Sequence, residues 1–150
     1  MINWISIKNL ALVEKADIEF GSTFNVVTGE TGAGKSVIIG SIGMILGSRA
    51  DRSSIRSGED RCEVSAGILI AKHVAKDVKE ILENAGIDFK NDDELTIRRV
   101  ITASSARNFI NDVPVSLQII KDLGDLLIDI HGANEHQSLF RQNMQLQILD

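Results

Sequence analysis

The sequence predicts an α/β domain, with antiparallel N-terminal strands on a central sheet and helices packed against it. Three observations carry this. Ala16, Ile18 and Phe20 alternate with Lys15, Asp17 and Glu19, the period of a half-buried antiparallel strand. A short apolar, β-branched run, TFNVV, leads through a glycine-rich turn into the apolar stretch VIIGSIGMILG. Val74, Val78, Ile81, Leu82 and Ala85 fall on one face of a helix.

The elements follow in order. The opening residues read as strands, with a turn at Gly21 and Ser22, and TFNVV as a buried central strand. A buried helix is expected from about Lys35, with Gly40 and Gly43 inside it as points of close packing. Residues 47–60 show no apolar periodicity and read as a loop, and CEVSAGILI resumes strand character. AKHVAKDVKEILENAG is a helix that Gly86 is placed to cap. LTIRRVITA and RNFIND form a hairpin bending at Ser104 to Ala106. Pro114 and Ser116 introduce a short helix, SLQIIKDLGDLL; LLIDI reads as a further buried strand and EHQSLFRQNMQLQILD as a helix.

The chain has 150 residues, of which 43% are hydrophobic and 25% charged, the balance of one globular domain. This excludes collagen-like, mucin-like and disordered compositions. A lone cysteine, Cys62, excludes an internal disulfide framework and a thiolate zinc cluster and suits a reducing compartment. The start MINWISIKNLALVE lacks the pattern of a signal peptide. VIIGSIGMILG is shorter than the ~18 apolar residues of a membrane span. A cytoplasmic protein without membrane contact is expected. A net charge of −5 argues against a wholly basic nucleic-acid-binding domain and leaves room for a local basic patch.

Chemistry concentrates at Gly29-Glu30-Thr31-Gly32-Ala33-Gly34-Lys35-Ser36, which matches G-x-x-x-x-G-K-[ST] in full, with Val37 following. The glycines let the backbone fold tightly so that successive N–H groups face phosphate oxygens. The helix starting there adds its positive end. Lys35 supplies a mobile charge for the β- and γ-phosphates, and the Ser36 hydroxyl is a hard oxygen ligand for Mg²⁺. The strand before and the helix after are the arrangement this P-loop requires, so a nucleoside triphosphate site is expected. Asp129, ending LLID, reads equally as an aspartate on Mg²⁺ and as a polar residue at a strand end. No Asn-Lys-x-Asp is present to read guanine.

With GETGAGKS preceded by IKNLALVEKADIEF and NVVTG, and followed by LGSRAD, RRVITASSARNFINDVPV and DIHGANEHQSLF, the whole chain resembles the RecN family. These are bacterial DNA-repair and recombination ATPases related to the SMC proteins. The resemblance implies an ABC-type ATPase head split by a long antiparallel coiled coil, with residues 1–150 as its N-terminal lobe ending before that coiled coil. It implies ATP and Mg²⁺ as ligands. The implied partners are the C-terminal half of the head, a second head in a homodimer, and DNA on the nucleoid.

Two departures bear on the site. Related heads often carry a basic residue soon after a Lys-Asn pair, where Leu10 and Ala11 follow Lys8-Asn9 here. The family often reads HGQHEHQS where this chain has Ala133 in HGANEHQS, which leaves Gln137 as the candidate ligand of Mg²⁺ and catalytic water, with His136 beside it. Lys35 and Gln137 are thus the candidate catalytic residues, residues 29–37 the nucleotide-binding stretch, and Ser36 and Gln137 the metal ligands.

Arg49, Arg52, Arg56 and Arg61, and the hairpin group Arg98, Arg99 and Arg107, are either DNA-phosphate contacts or solvated surface. The sequence holds no serine-glycine-rich signature turn and no apolar run ending in Asp-Glu. Hydrolysis by this lobe alone is therefore expected to be poor. Two alternatives remain open: a stand-alone P-loop kinase using residues 47–61 as an arginine-rich lid, and a non-catalytic, nucleotide-dependent interaction module. ATPase assays with and without a C-terminal half separate them.

Overall fold

The computed structural model of the chain describes residues 2–20, 32–89 and 94–128. Two long strands open it, β1 (Ile2–Leu10) and β2 (Val13–Glu19), followed by helix α1 (Gly32–Ile45) and a single 3₁₀ turn at Arg52–Ser54. Then come β3 (Arg61–Leu69), α2 (Lys72–Asn84), β4 (Glu94–Thr102), β5 (Ala106–Ile110), β6 (Val113–Val115) and α3 (Leu117–Ile128). The six described strands form one sheet in the order β2-β1-β3-β4-β5-β6, with every neighbouring pair antiparallel.

Register sorts the side chains into two faces. Ile5 lies opposite Ala66, Ala66 opposite Ile97, and Ile97 opposite Ile110; the next inward row is Ile7, Val64, Arg99 and Asn108. All eight are buried. They join one apolar cluster with Val37, Ile38, Met44 and Ile45 of α1, Val74, Val78 and Leu82 of α2, and Ile120 and Leu123 of α3. Rows such as Ser6, Ser65, Arg98 and Phe109 occupy the other face. There Arg98 pairs with Glu63 at 3.1 Å and lies 4.3 Å over the Phe109 ring, and Glu94 accepts from Trp4 and Asn3. Partly exposed pairs of this kind contribute about 0–1 kcal/mol each, so the sheet is held by its apolar face.

Both α1 and α2 end with a left-handed glycine that closes paired hydrogen bonds onto the last turn. In α1, Gly47 (φ +103°) donates to the Met44 carbonyl at 3.2 Å and Ser48 to Gly43 at 2.9 Å. In α2, Gly86 (φ +80°) donates to Glu83 at 3.0 Å and Ile87 to Leu82 at 2.8 Å, so the expected glycine cap is present. Of the two helical glycines read as close-packing points, only Gly43 is one. A Cβ there would meet the Ser48 hydroxyl at 3.2 Å, whereas a Cβ on Gly40 meets nothing within 4 Å.

Three expectations are corrected. α1 begins at Gly32 rather than near Lys35. First-turn N–H groups have no helical acceptor in any case, so weak helix formers cost least there. LLIDI does not open as a strand: Leu126, Leu127 and Ile128 end α3. Ile119, Ile120, Leu123, Leu126 and Leu127 recur at three- and four-residue steps, and this helical period wins over local strand propensity. Pro114 sits inside β6 rather than introducing the helix. Asn111 and Asp112, both at positive φ (48° and 66°), make the two-residue hairpin loop, and an edge strand tolerates the proline. The expected strand TFNVV and helix EHQSLFRQNMQLQILD lie outside the described residues.

Candidate nucleotide-binding site

Helix α1 places the motif. Its first turn is Gly32-Ala33-Gly34-Lys35, followed by Ser36, so the second half of the glycine-rich stretch is helical backbone. The N–H groups of an α-helix's first turn have no partner within the helix and point along its positive end, a natural anion cradle. Gly29, Glu30 and Thr31 lie outside the described residues, as do Asp129, His136 and Gln137.

Beside α1 runs a groove of about 520 Å³. Val37, Ile39, Gly40, Gly43 and Met44 of the helix form one side. Leu10 and Ala11 of the β1–β2 turn, and Ser48, Arg49, Asp51 and Ser54 of the following loop, complete it. The lining is apolar against the helix and polar at the loop, the composition of a small-molecule site. Gly40 leaves its middle open, since no atom stands where its Cβ would be.

The groove's outer wall is tied down by backbone. Ala11 N–H donates to the Ser54 carbonyl at 2.6 Å, Arg56 N–H to Asn9 at 2.8 Å, and Leu10 bridges Ile55. Arg56 also pairs with Glu14 at 3.5 Å. This zipper holds Asn9 (φ 54°) and Ala11 (φ 52°) in the left-handed region, which for alanine costs about 1–2 kcal/mol. Strain held by surrounding structure and placed on a cavity wall is characteristic of binding sites. Asp51 caps the 3₁₀ turn by accepting from Ser53 N–H at 2.9 Å. Hydrogen bonds from the Ser53 side chain and backbone hold the Asp51 carboxyl below its ordinary pKa.

The arginines separate. Arg99 is fully buried and is neither a DNA contact nor solvated surface. Its Nε–H donates to Asn108 Oδ1 at 2.9 Å, and its Nη1 donates to the Met44 carbonyl at 2.8 Å and the Ser48 carbonyl at 2.6 Å. Burial pushes its pKa down, partly offset by Cys62, and burial pushes the Cys62 thiol up, partly offset by Arg99. Arg98 is engaged by Glu63 and, at 3.8 Å, by Asp112. Arg49 lines the groove, and Arg52 and Arg107 remain exposed.

Sequence reasoning did not find the groove or Arg99's place beneath it. The signal for Arg99 was present, because Leu95, Ile97, Arg99 and Ile101 keep one inward period. No local signal announces a left-handed alanine. Residues 47–61, offered as a kinase lid, are instead fastened to the β1–β2 turn through Ser54, Ile55 and Arg56.

Comparison with known proteins agrees with this architecture. Residues 5–149 match the family model described as AAA domain. The chain is 40% identical over 156 residues to the DNA repair protein RecN of Vibrio cholerae, covering all of this chain and 26% of that protein. It is 41% identical over 151 residues to RecN of Xylella fastidiosa and 33% identical over 150 residues to RecN of Bacillus subtilis, with the same coverage. The chain thus spans about a quarter of the length of the curated relatives it matches.

Among solved structures it is similar to an SMC ATPase described for ATP-driven dimerization and DNA-stimulated activation, with TM-score 0.62 and 23% identity over 83% of this chain and 78% of that one. The Smc head domain of Pyrococcus yayanosii gives TM-score 0.65 at 19% identity, over 83% and 25%. The recombination mediator protein RecF gives 0.61 at 16%, over 80% and 29%. Among the described residues, no helix is long and apolar enough to cross a membrane. The chain belongs to the AAA domain family, has the α/β fold of P-loop ATPase heads, and resembles DNA repair proteins named RecN along its whole length.

Proposed function

We propose that this chain is the ATP-binding lobe of a RecN-type ATPase acting in DNA double-strand-break repair and recombination, in the cytoplasm on the nucleoid. One observation carries the reading: α1 starts inside the G-x-x-x-x-G-K-[ST] motif, and an open groove runs along the same helix immediately beyond it. A triphosphate at the helix start and a base with its sugar in the groove use both features. In support, RecN relatives are 33–41% identical to this chain over its full length, and a RecF structure of this fold is described with ATP.

The residues divide the work. Residues 29–37 wrap the phosphates with backbone N–H groups, and Lys35 neutralises β- and γ-phosphate charge as phosphoryl transfer proceeds. The Ser36 hydroxyl and the Gln137 amide oxygen are hard oxygen donors suited to Mg²⁺, with Gln137 also orienting the attacking water. Mg²⁺ bound there supplies neutralisation of the charge developing on the γ-phosphate. The C-terminal half of the head and a second head complete the site, and the assembled protein acts on DNA. The SMC relative's ATP-driven dimerization supports the second-head partner.

Calorimetric titration with Mg·ATP tests this. Lys35→Ala is expected to weaken binding about tenfold to a hundredfold, the worth of a hydrogen bond to a charged group, with unchanged circular dichroism. Gly40→Leu, which fills the groove without touching the phosphates, is expected to weaken ATP about tenfold or more. Wild-type affinity in both variants would contradict the assignment.

A further inference from the structure

We infer that Arg99 is a positioning residue that sets the width of the nucleotide groove, and so the affinity for the nucleoside part of the ligand rather than for its phosphates. The inference rests on the nucleotide reading of that groove and deepens it.

Arg99 never reaches the groove itself. It stands behind it, on the inward face of β4, in register with Val64 on one side and Asn108 on the other. Its neighbours along β4 in that face, Ile97 and Ile101, are apolar, and an aliphatic side chain would continue the pattern without a buried charge. The guanidinium instead spends its hydrogen bonds on two carbonyls, those of Met44 and Ser48. Met44 and Ser48 both line the groove, one on the helix side and one at the start of the loop wall. Asn108 holds the Nε edge of the planar fork and so fixes its direction.

The loop wall is therefore pinned at two ends, by Arg99 at Ser48 and by the Ala11-to-Ser54 hydrogen bond at its far end. Arg99 also supplies a cation at the C-terminus of α1, where the helix dipole favours one. A lysine cannot reproduce this, because a single ammonium lacks the rigid fork that spans two carbonyls and an amide. Met44 lies eight residues after Ser36, roughly 12 Å along the helix at 1.5 Å per residue, so the change is felt in the groove and not at the phosphates.

The test compares two ligands on the purified protein. Wild type, Arg99→Lys and Asn108→Ala are titrated with Mg·ATP and with Mg·tripolyphosphate, and thermal unfolding is recorded for each. Arg99→Lys is expected to weaken ATP about tenfold while tripolyphosphate changes less than about twofold; Asn108→Ala shifts ATP in the same direction by less. Equal loss of both ligands, or unchanged ATP affinity, overturns the inference even if the melting temperature falls. If Arg99→Lys does not fold, the ligand ratio of Asn108→Ala decides. A wild-type protein that binds neither ligand overturns the nucleotide reading, and this inference with it.

Discussion

Gly124→Ala is expected to lower the melting temperature by roughly 5–10 °C, whereas Gly40→Ala is expected to raise it by a few degrees. Both glycines sit inside helices, where exchange for alanine contributes about 0.5–1 kcal/mol of helix propensity. Space decides the sign. A Cβ on Gly124 would overlap the backbone carbonyl of Leu46, a group that cannot rotate away, and beside it Gly47 stands where its own Cβ would lie 2.8 Å from the Lys121 Cα. Admitting the methyl requires α3 to move off the end of α1. Overpacking of this kind typically costs about 1–3 kcal/mol, and a fixed backbone neighbour places it at the upper end. Gly40 has no atom within 4 Å of its Cβ position, so only the propensity gain remains. Differential scanning calorimetry on the two variants checks the pair, and a stabilised Gly124→Ala would show that α3 does not pack as described.

Turnover is expected to rise by two orders of magnitude or more when the C-terminal half of the head is added, since even one preorganised charge-stabilising donor is worth about a hundredfold. Phosphoryl transfer needs a phosphate cradle, Mg²⁺, an oriented water and charge stabilisation from outside the P-loop. Residues 1–150 contain the proposed cradle and the proposed Mg²⁺ ligands Ser36 and Gln137, but no serine-glycine-rich helix start and no apolar run ending in adjacent Asp-Glu; after Asp129 comes Ile130. The chain spans about a quarter of the length of its RecN relatives. Steady-state phosphate release with and without the separately made half measures the effect. Rapid turnover by residues 1–150 alone, lost in Lys35→Ala, would contradict the split site and revive the small-kinase alternative.

How much of this was legible in the sequence depends on how far each signal acts. Short-range signals read well: the alternation of Ala16 and Ile18, the apolar face of Val74, Val78 and Leu82, and the cap at Gly86 all appear where expected. Misreadings arose where two local signals competed. Leu126 to Ile128 suit a strand by composition and a helix by period, and packing of Ile120 and Leu123 in the core decides for the helix. Pro114 after Asn111-Asp112 suits a helix start and equally an edge strand after a tight hairpin. The groove was not legible, because it is made by long-range contacts. The Ala11 N–H meets Ser54 and the Arg99 guanidinium meets Met44 and Ser48, and nothing in the neighbouring residues encodes either meeting. The P-loop was legible because its chemistry is written in consecutive residues.

A crystal structure of the protein with Mg²⁺ and a non-hydrolysable ATP analogue tests the proposed nucleotide site most directly. The triphosphate is expected at the start of α1, within hydrogen-bond reach of the backbone of residues 32–35 and of Lys35. The base is expected in the groove over Gly40, between Ala11 and Ser48. A triphosphate bound away from the start of α1, or a nucleoside that leaves the groove vacant and lies elsewhere, would contradict the proposed site.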